Sequence, residues 1–201
     1  MTLAVVLLAA GRSRRMRGRD KLLETVDGVP LLRHIALRAL AAGIGTVAVT
    51  LPPNAAARVA ALEGLDVIRI PVVDAEEGLA ASLRAAARWA AGMKAAGLML
   101  CPSDLPELTA ADFNLLATAF DPDGPPLRAT ADDGSPGHPV IFPARLLDDF
   151  AACSGDTGAR SLLDRYPPRL LALPDAHATT DLDTPEDWFH WRRIRPELPG
   201  A

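Results

Sequence analysis

The chain opens on an unbroken apolar run, Leu3 to Leu8, with paired valines, the texture of a parallel strand covered on both faces. A loop rich in glycine and arginine, Gly11 to Asp20, ends it. Pro30 then opens a stretch in which Leu31, Ile35, Leu37 and Leu40 recur at helical spacing, and Gly43 and Gly45 stop it. Thr46 to Leu51 reads as the next strand, followed by an alanine-rich helix from Ala55 to Leu62 and a strand from Asp66 to Pro71. A long helix, Leu79 to Met93, precedes a short strand, Gly97 to Cys101. Thr109 with Asp112 three residues on has the form of a capping box and starts a helix through Phe120. Strand and helix in turn, with short connections, predict right-handed crossovers and an α/β fold with a mostly parallel sheet.

After Asp121 the pattern changes. Asp121 to Pro126 is a turn of proline, glycine and aspartate, and Leu127 to Ala131 and His138 to Phe142 read as two short strands flanking the loop Asp132 to Gly137. A helix from Ala144, a loop from Ser154 to Thr157, a helix from Gly158, a strand from Arg169 to Leu173 and a helix after Thr184 complete the reading. With no repeat, low-complexity tract or linker, residues 1–201 are expected to form one domain.

Composition narrows the class. Of 201 residues, 49% are hydrophobic and 23% charged, the balance of a globular chain. The net charge of −4, from 21 basic and 25 acidic residues, leaves no overall positive field for nucleic acid. Cys101 and Cys153 lack the spacing of a zinc site or a disulfide framework, and both read as reduced fillers. The apolar start has no basic region before it and runs into Gly11 and a basic loop rather than a cleavage site. No other run is long enough to span a bilayer, so a cytoplasmic protein without membrane partners is expected.

Chemistry concentrates where strands end. In an open α/β sheet, ligands sit beyond the carboxyl ends of the strands, and Leu8-Ala9-Ala10-Gly11-Arg12 lies at such an end. Small residues there let backbone amides approach a ligand, and Arg12, Arg14, Arg15 and Lys21 can meet a triphosphate. Neither the GxxxxGK[ST] loop nor the GxGxxG fingerprint is present, which argues against an NAD(P)-dependent oxidoreductase. A solvated basic loop remains the alternative. Asp104, held in Pro102-Ser103-Asp104-Leu105-Pro106, is placed to ligate a hard cation such as Mg²⁺, or simply to serve a turn.

Four further segments carry weaker signals. Gly78 to Leu83 opens a helix whose free amides and Ser82 hydroxyl could receive an anion or a base edge. His138, in Gly134 to Pro139, is either an acid–base group or a structural histidine of a hairpin. Asp156 or Thr157 can cap the helix that follows, which leaves Arg160 unexplained. Thr184-Pro185 with Asp187 is a helix start, and Asp181 and Asp183 before it supply more carboxylates than a cap requires.

The set LAAGRSRRM…DKLL (Leu8 to Leu23), GLAASL (Gly78 to Leu83), PSDLP (Pro102 to Pro106), GSPGHPVIF (Gly134 to Phe142), GDTGARSLL (Gly155 to Leu163) and DLDTPEDW (Asp181 to Trp188) resembles the MobA-like nucleotidyltransferases, and within them the molybdenum cofactor cytidylyltransferases. The likeness spans nearly the whole chain. It implies a single-domain, Rossmann-like sheet with helices on both faces, as in the nucleotide-diphospho-sugar transferases, and a small inserted pair of strands for the acceptor. It also implies nucleotide and phosphate binding by Leu8, Ala9, Ala10, Gly11, Arg12 and Lys21, with Ser82 near the base. Asp104 matches the metal-binding aspartate, and Asp183, or else Asp181, matches a second ligand to Mg²⁺. Arg12, Lys21 and Asp104 are the expected catalytic residues. Ala10, as in LAAG rather than LAGG, points to CTP. Arg17, where many relatives have glycine, is a departure within the loop.

The resemblance therefore implies transfer of CMP from CTP to a molybdopterin-type acceptor, with release of pyrophosphate. A recipient molybdoenzyme or its chaperone would be a further partner. The rival readings are the same chemistry with GTP, a sugar or polyol phosphate as acceptor, and a non-catalytic carrier of the molybdenum cofactor.

Overall fold

The structure is a computed structural model that describes residues 2–155 and 158–194. The first strand, β1 (Leu3–Leu8), lies in the middle of the sheet. Its side chains alternate between two cores, Leu3, Val5 and Leu7 on one face, Ala4 and Val6 on the other. A two-stranded hairpin follows, β2 (Thr25–Val26) with β3 (Val29–Pro30), turned by Asp27 and Gly28, both at positive φ. The sequence pattern above misses this hairpin, although Asp-Gly between short apolar stretches is its usual signal.

Then come α1 (Leu31–Ala42), β4 (Gly45–Leu51), α2 (Ala56–Ala61), β5 (Ile68–Pro71), α3 (Leu79–Gly92), β6 (Gly97–Pro102) and α4 (Ala110–Ala119). Each falls where the periodicity predicts it, with ends displaced by a residue or two. Thr109 caps α4 in a full capping box with Asp112. The rest of the chain supplies β7 (Leu127–Thr130), β8 (Pro136–Pro143), α5 (Arg160–Arg165), β9 (Arg169–Ala172) and α6 (Pro185–Ile194).

Among the described residues, seven strands form one sheet in the order β5-β4-β1-β6-β8-β7-β9. The pairs β5/β4, β4/β1, β1/β6 and β7/β9 are parallel, whereas β8 runs antiparallel to β6 and β7. The chain thus has an α/β fold with a mostly parallel sheet. Helices α1, α4 and α6 pack through Ile35, Phe113 and Trp188 on one face, and α3 packs through Leu83 and Ala86 on the other.

The pair of strands expected after Asp121 is present, and it joins the main sheet. β8 pairs with β6 along Gly97 to Leu100, so both strands extend the main sheet, because the exposed edge of β6 offers its hydrogen-bonding groups to them. The helix expected from Ala144 is instead a pair of 3₁₀ turns, Ala144–Leu146 and Asp148–Ala152. No side chain caps their start, and Phe150 is drawn edge-on against Phe142 at 5.0 Å. Asp156 and Thr157, expected as caps of α5, lie outside the described residues; the residue before the helix, Ala159, gives it no side-chain cap. No helix among the described residues is long and apolar enough to cross a membrane.

Candidate active site

The chain leaves β1 for α1 and β4 on one side and returns to β6 on the other, so the strand order reverses between β1 and β6. Their carboxyl ends form the crevice in which such sheets bind ligands. The loop after β1 is framed from beneath, while its arginines stand exposed to solvent above the frame. The Ala9 N–H donates to Thr50 Oγ1 at 3.1 Å, and the Ala9 carbonyl accepts from Arg58 Nη1 at 2.6 Å. The same buried Arg58 donates to both oxygens of Asp20, at 2.7 and 2.9 Å. Asp20 also accepts from the Ser13 hydroxyl and from the Leu22 N–H, both at 3.1 Å. Burial works to raise the Asp20 pKa, but Arg58 and these donors outweigh it and hold the carboxylate below its ordinary value. Met16 drops into the core, which leaves Arg12, Arg14 and Arg15 on the outside of the loop.

A cavity of about 1030 Å³ opens over this crevice. On its floor Lys21 Nζ lies 2.5 Å from Asp104 Oδ2 and 2.5 Å from Asp183 Oδ1, while Arg15 reaches Asp183 Oδ2 at 2.5 Å. Lys21, Asp104 and Asp183 are only 15–16% exposed. Burial alone would depress the Lys21 pKa, yet the two carboxylates raise it above the usual lysine value. Burial likewise works against ionisation of Asp183, and Lys21, Asp181 and Arg15 overcome it. Asp181 goes the other way, pushed up by its own burial and by Asp183 and Asp104. Of the two, Asp183 ionises the more readily, and it is the one that faces the cavity. The backbone fixes this arrangement, since the Leu182 N–H donates to the Asp104 carbonyl at 3.2 Å. Asp187 accepts from the amides of Asp183 and Thr184 at the start of α6.

Of the residues singled out by sequence, Leu8, Ala10, Gly11, Arg12, Lys21, Ser82, Asp104 and Asp183 all line this cavity. Gly11 has open space where a Cβ would stand, so its surface toward the cavity is bare backbone. Arg12 is ion-paired with Glu76, which lines the same cavity. Ala9 does not face the cavity: its amide and carbonyl are both committed to the frame. Sequence reasoning missed Arg58, whose partner Asp20 is far away in the chain, and Arg128 of β7, which lines the opposite wall with His138. Only an arginine among apolar neighbours in Ala55 to Leu62 hints at the first.

The donor set fits a hard divalent cation. Asp104 Oδ1 is buried with no hydrogen-bond partner among the described residues, an acceptor left over for a ligand. Among the described residues no group of three or more His, Cys, Asp or Glu is spaced to hold a metal. Asp104 and Asp183 present two carboxylates to the cavity, and magnesium usually takes one or two carboxylates together with waters and substrate phosphates.

The chain has relatives among known proteins. The MobA-like NTP transferase domain matches residues 5–170. A molybdenum cofactor guanylyltransferase of Cereibacter sphaeroides is 31% identical over 191 residues, 93% of this chain and 94% of the relative. The structure of Rv0371c from Mycobacterium tuberculosis H37Rv superposes with a TM-score of 0.81 at 30% identity, covering 96% of this chain and 99% of that one. A structure of the same mycobacterial protein in complex with manganese gives a TM-score of 0.75, covering 94% and 96%. A CMP:2-keto-3-deoxy-manno-octonic acid synthetase complexed with CTP shares the fold at 14% identity, with a TM-score of 0.74 over 96% of this chain and 98% of its own.

Proposed function

The chain belongs to the MobA-like NTP transferase family and is a nucleotidyltransferase, and we propose that it transfers GMP from GTP to a phosphorylated molybdopterin-type acceptor, acting as one domain over residues 1–201. The observation that carries this reading is the Lys21 ammonium shared by Asp104 and Asp183 beneath an arginine-bearing loop, at the carboxyl ends of β1 and β6. That combination gathers phosphate-binding cations and metal-binding oxygens at one crevice. Relatives named guanylyltransferases support GTP as the donor. The second reading, CTP, rests on the Ala10 methyl at the cavity wall.

In the proposed reaction an acceptor phosphate oxygen attacks the α-phosphorus. A new P–O bond forms there as the bond to the α,β-bridging oxygen breaks, and pyrophosphate carries away the electron pair. A phosphate monoester is ionised at neutral pH, so no base is needed, and catalysis reduces to positioning and charge neutralisation. Bare backbone at Gly11 admits the phosphates, and Arg12, freed from Glu76, and Lys21 neutralise them. Ser82, buried at the first turn of α3, lies where a base edge can be read. A Mg²⁺ ion on Asp104 and Asp183 would supply Lewis-acid charge to the α-phosphate.

The test is pyrophosphate release from GTP, and separately from CTP, with Mg²⁺ and molybdopterin-type cofactor. Release with GTP supports the reading and release with CTP alone moves the donor. Silence with every nucleotide despite tight pterin binding would leave a carrier of the cofactor in its place.

A further inference from the structure

The attack proposed above brings a phosphate dianion against an already anionic α-phosphate, so cations are needed on the acceptor's side as well as the nucleotide's. The cationic side chains of the β1 loop and Lys21 lie on one side of Asp104. In the strand order β1-β6-β8-β7, the other side of Asp104 belongs to the start of β8 and to β7. β8 runs antiparallel to β6, with Leu100 opposite Val140, which brings His138 level with the end of β6. Arg128 pairs with Val140 from the next strand, and both His138 and Arg128 line the cavity.

Two features set this wall apart. Arg128 donates from Nε to the Gly137 carbonyl at 3.0 Å, which fixes its plane and leaves its two terminal nitrogens uncommitted among the described residues. No carboxylate among the described residues pairs with it, whereas Arg12 and Arg15 of the opposite wall are both paired. Burial lowers its pKa, so the charge is held partly desolvated without a counter-ion. Beside it, His138 Nδ1 is buried with no hydrogen-bond partner among the described residues. Such an orphan is a cost to the fold that a ligand atom would relieve. Gly137 keeps the wall in place, because a Cβ there would lie 2.1 Å from the Ala178 carbonyl oxygen.

We infer that Arg128, with His138 Nδ1 beside it, anchors the phosphate monoester of the acceptor, on the side of Asp104 opposite to the nucleotide's triphosphate. The inference rests on the nucleotidyl-transfer reading. The guanidinium fork matches two phosphate oxygens in its plane, and the imidazole takes a third polar contact. Arg160 lines the same cavity from the start of α5, without an ion pair among the described residues, and adds charge at the rim.

The experiment is two-armed. In steady-state kinetics, Arg128→Gln is expected to raise the KM for the acceptor about tenfold or more while leaving the KM for the nucleotide within about twofold. Arg128→Lys, which keeps the charge and loses the fork, should recover only part. An equal rise in both constants, or an unchanged acceptor KM, would overturn the inference while wild-type turnover left the nucleotidyl-transfer reading intact. The second arm needs no turnover: inorganic phosphate is titrated into the protein with an α,β-methylene nucleotide and Mg²⁺ present. Binding weakened about tenfold by Arg128→Gln and also reduced by His138→Gln supports the anchor, and binding indifferent to both removes it. Wild-type silence in the first arm counts against the reaction, and the second arm still decides the anion site.

Discussion

Arg58 grips Asp20 with two hydrogen bonds, Nε to Oδ2 and Nη2 to Oδ1, and with its third nitrogen holds the Ala9 carbonyl. One side chain from α2 thus closes both ends of the loop that carries the arginines. Arg58→Met removes the cation and leaves a half-buried carboxylate facing an apolar chain. It should cost about 3 kcal/mol of stability, read by urea denaturation. The KM for the nucleotide should rise, since the loop loses its frame. Unchanged denaturation and unchanged KM together would mean that Ser13 and Leu22 suffice to hold Asp20.

Asp104→Ala separates chemistry from folding. Asp104 Oδ1 has no partner to lose, and removing the carboxylate also frees Lys21 to pair with Asp183 alone. Turnover should fall about a thousandfold or more, as for loss of a group that places charge at the transition state. The thermal midpoint should stay within a few degrees of the parent. Retained turnover would sink the metal assignment. A collapsed midpoint would show instead that the Asp104 carboxylate serves mainly to neutralise the half-buried Lys21.

His138 gives stability a pH dependence with a defined window. Burial, and then the nearby Arg128 cation, push its pKa down to about 4, although Asp104 works against them. An unfolded histidine titrates near 6.5, so between about pH 6.5 and 4 the unfolded chain binds a proton that the folded one refuses. Stability is therefore whole above that window and declines as pH falls through it, by about 3 kcal/mol in all. Asp20 and Asp183, both held below the ordinary aspartate value, add their losses at still lower pH. Denaturant melts of the parent and of His138→Gln across pH 4 to 7 isolate the histidine, because Asp181 titrates in both. Parallel curves would refute the assignment.

What the sequence discloses is what short segments encode. Thr109 and Asp112 are three residues apart, and their capping box was legible and is present. The run Leu3 to Leu8 was legible as a strand buried on both faces for the same reason. The edge that a strand joins depends on distant backbone, so β8 and β7 read as a separate pair although they extend the sheet from β6. The site divides along the same line. Lys21, Asp104 and Asp183 each stand in a recognisable local segment, and the structure brings them together on one floor. Arg58 and Arg128 stand in segments that read as helix and strand and nothing more. Their meaning lies in Asp20, 38 residues away, and in a cavity wall.

Ala10 is the point at which sequence and relatives pull apart, and its burial decides the expectation. Although it borders the cavity, Ala10 is only 5% exposed, and it belongs to the core that Val6, Ala80 and Leu83 form on the α3 face. A methyl turned into that core presents little surface to a base, so it is poorly placed to exclude guanine. A methyl group that does meet a substrate is worth about tenfold or more in kcat/KM. Ala10→Gly should therefore leave the ratio of kcat/KM for GTP and CTP within about threefold of the parent, with GTP the better donor in both. A shift of about tenfold or more toward GTP in the variant would place the base against this methyl and restore CTP as the parent's donor. An unshifted ratio with CTP preferred in both would move the reading of the base to other residues, of which Ser82 is the first to replace.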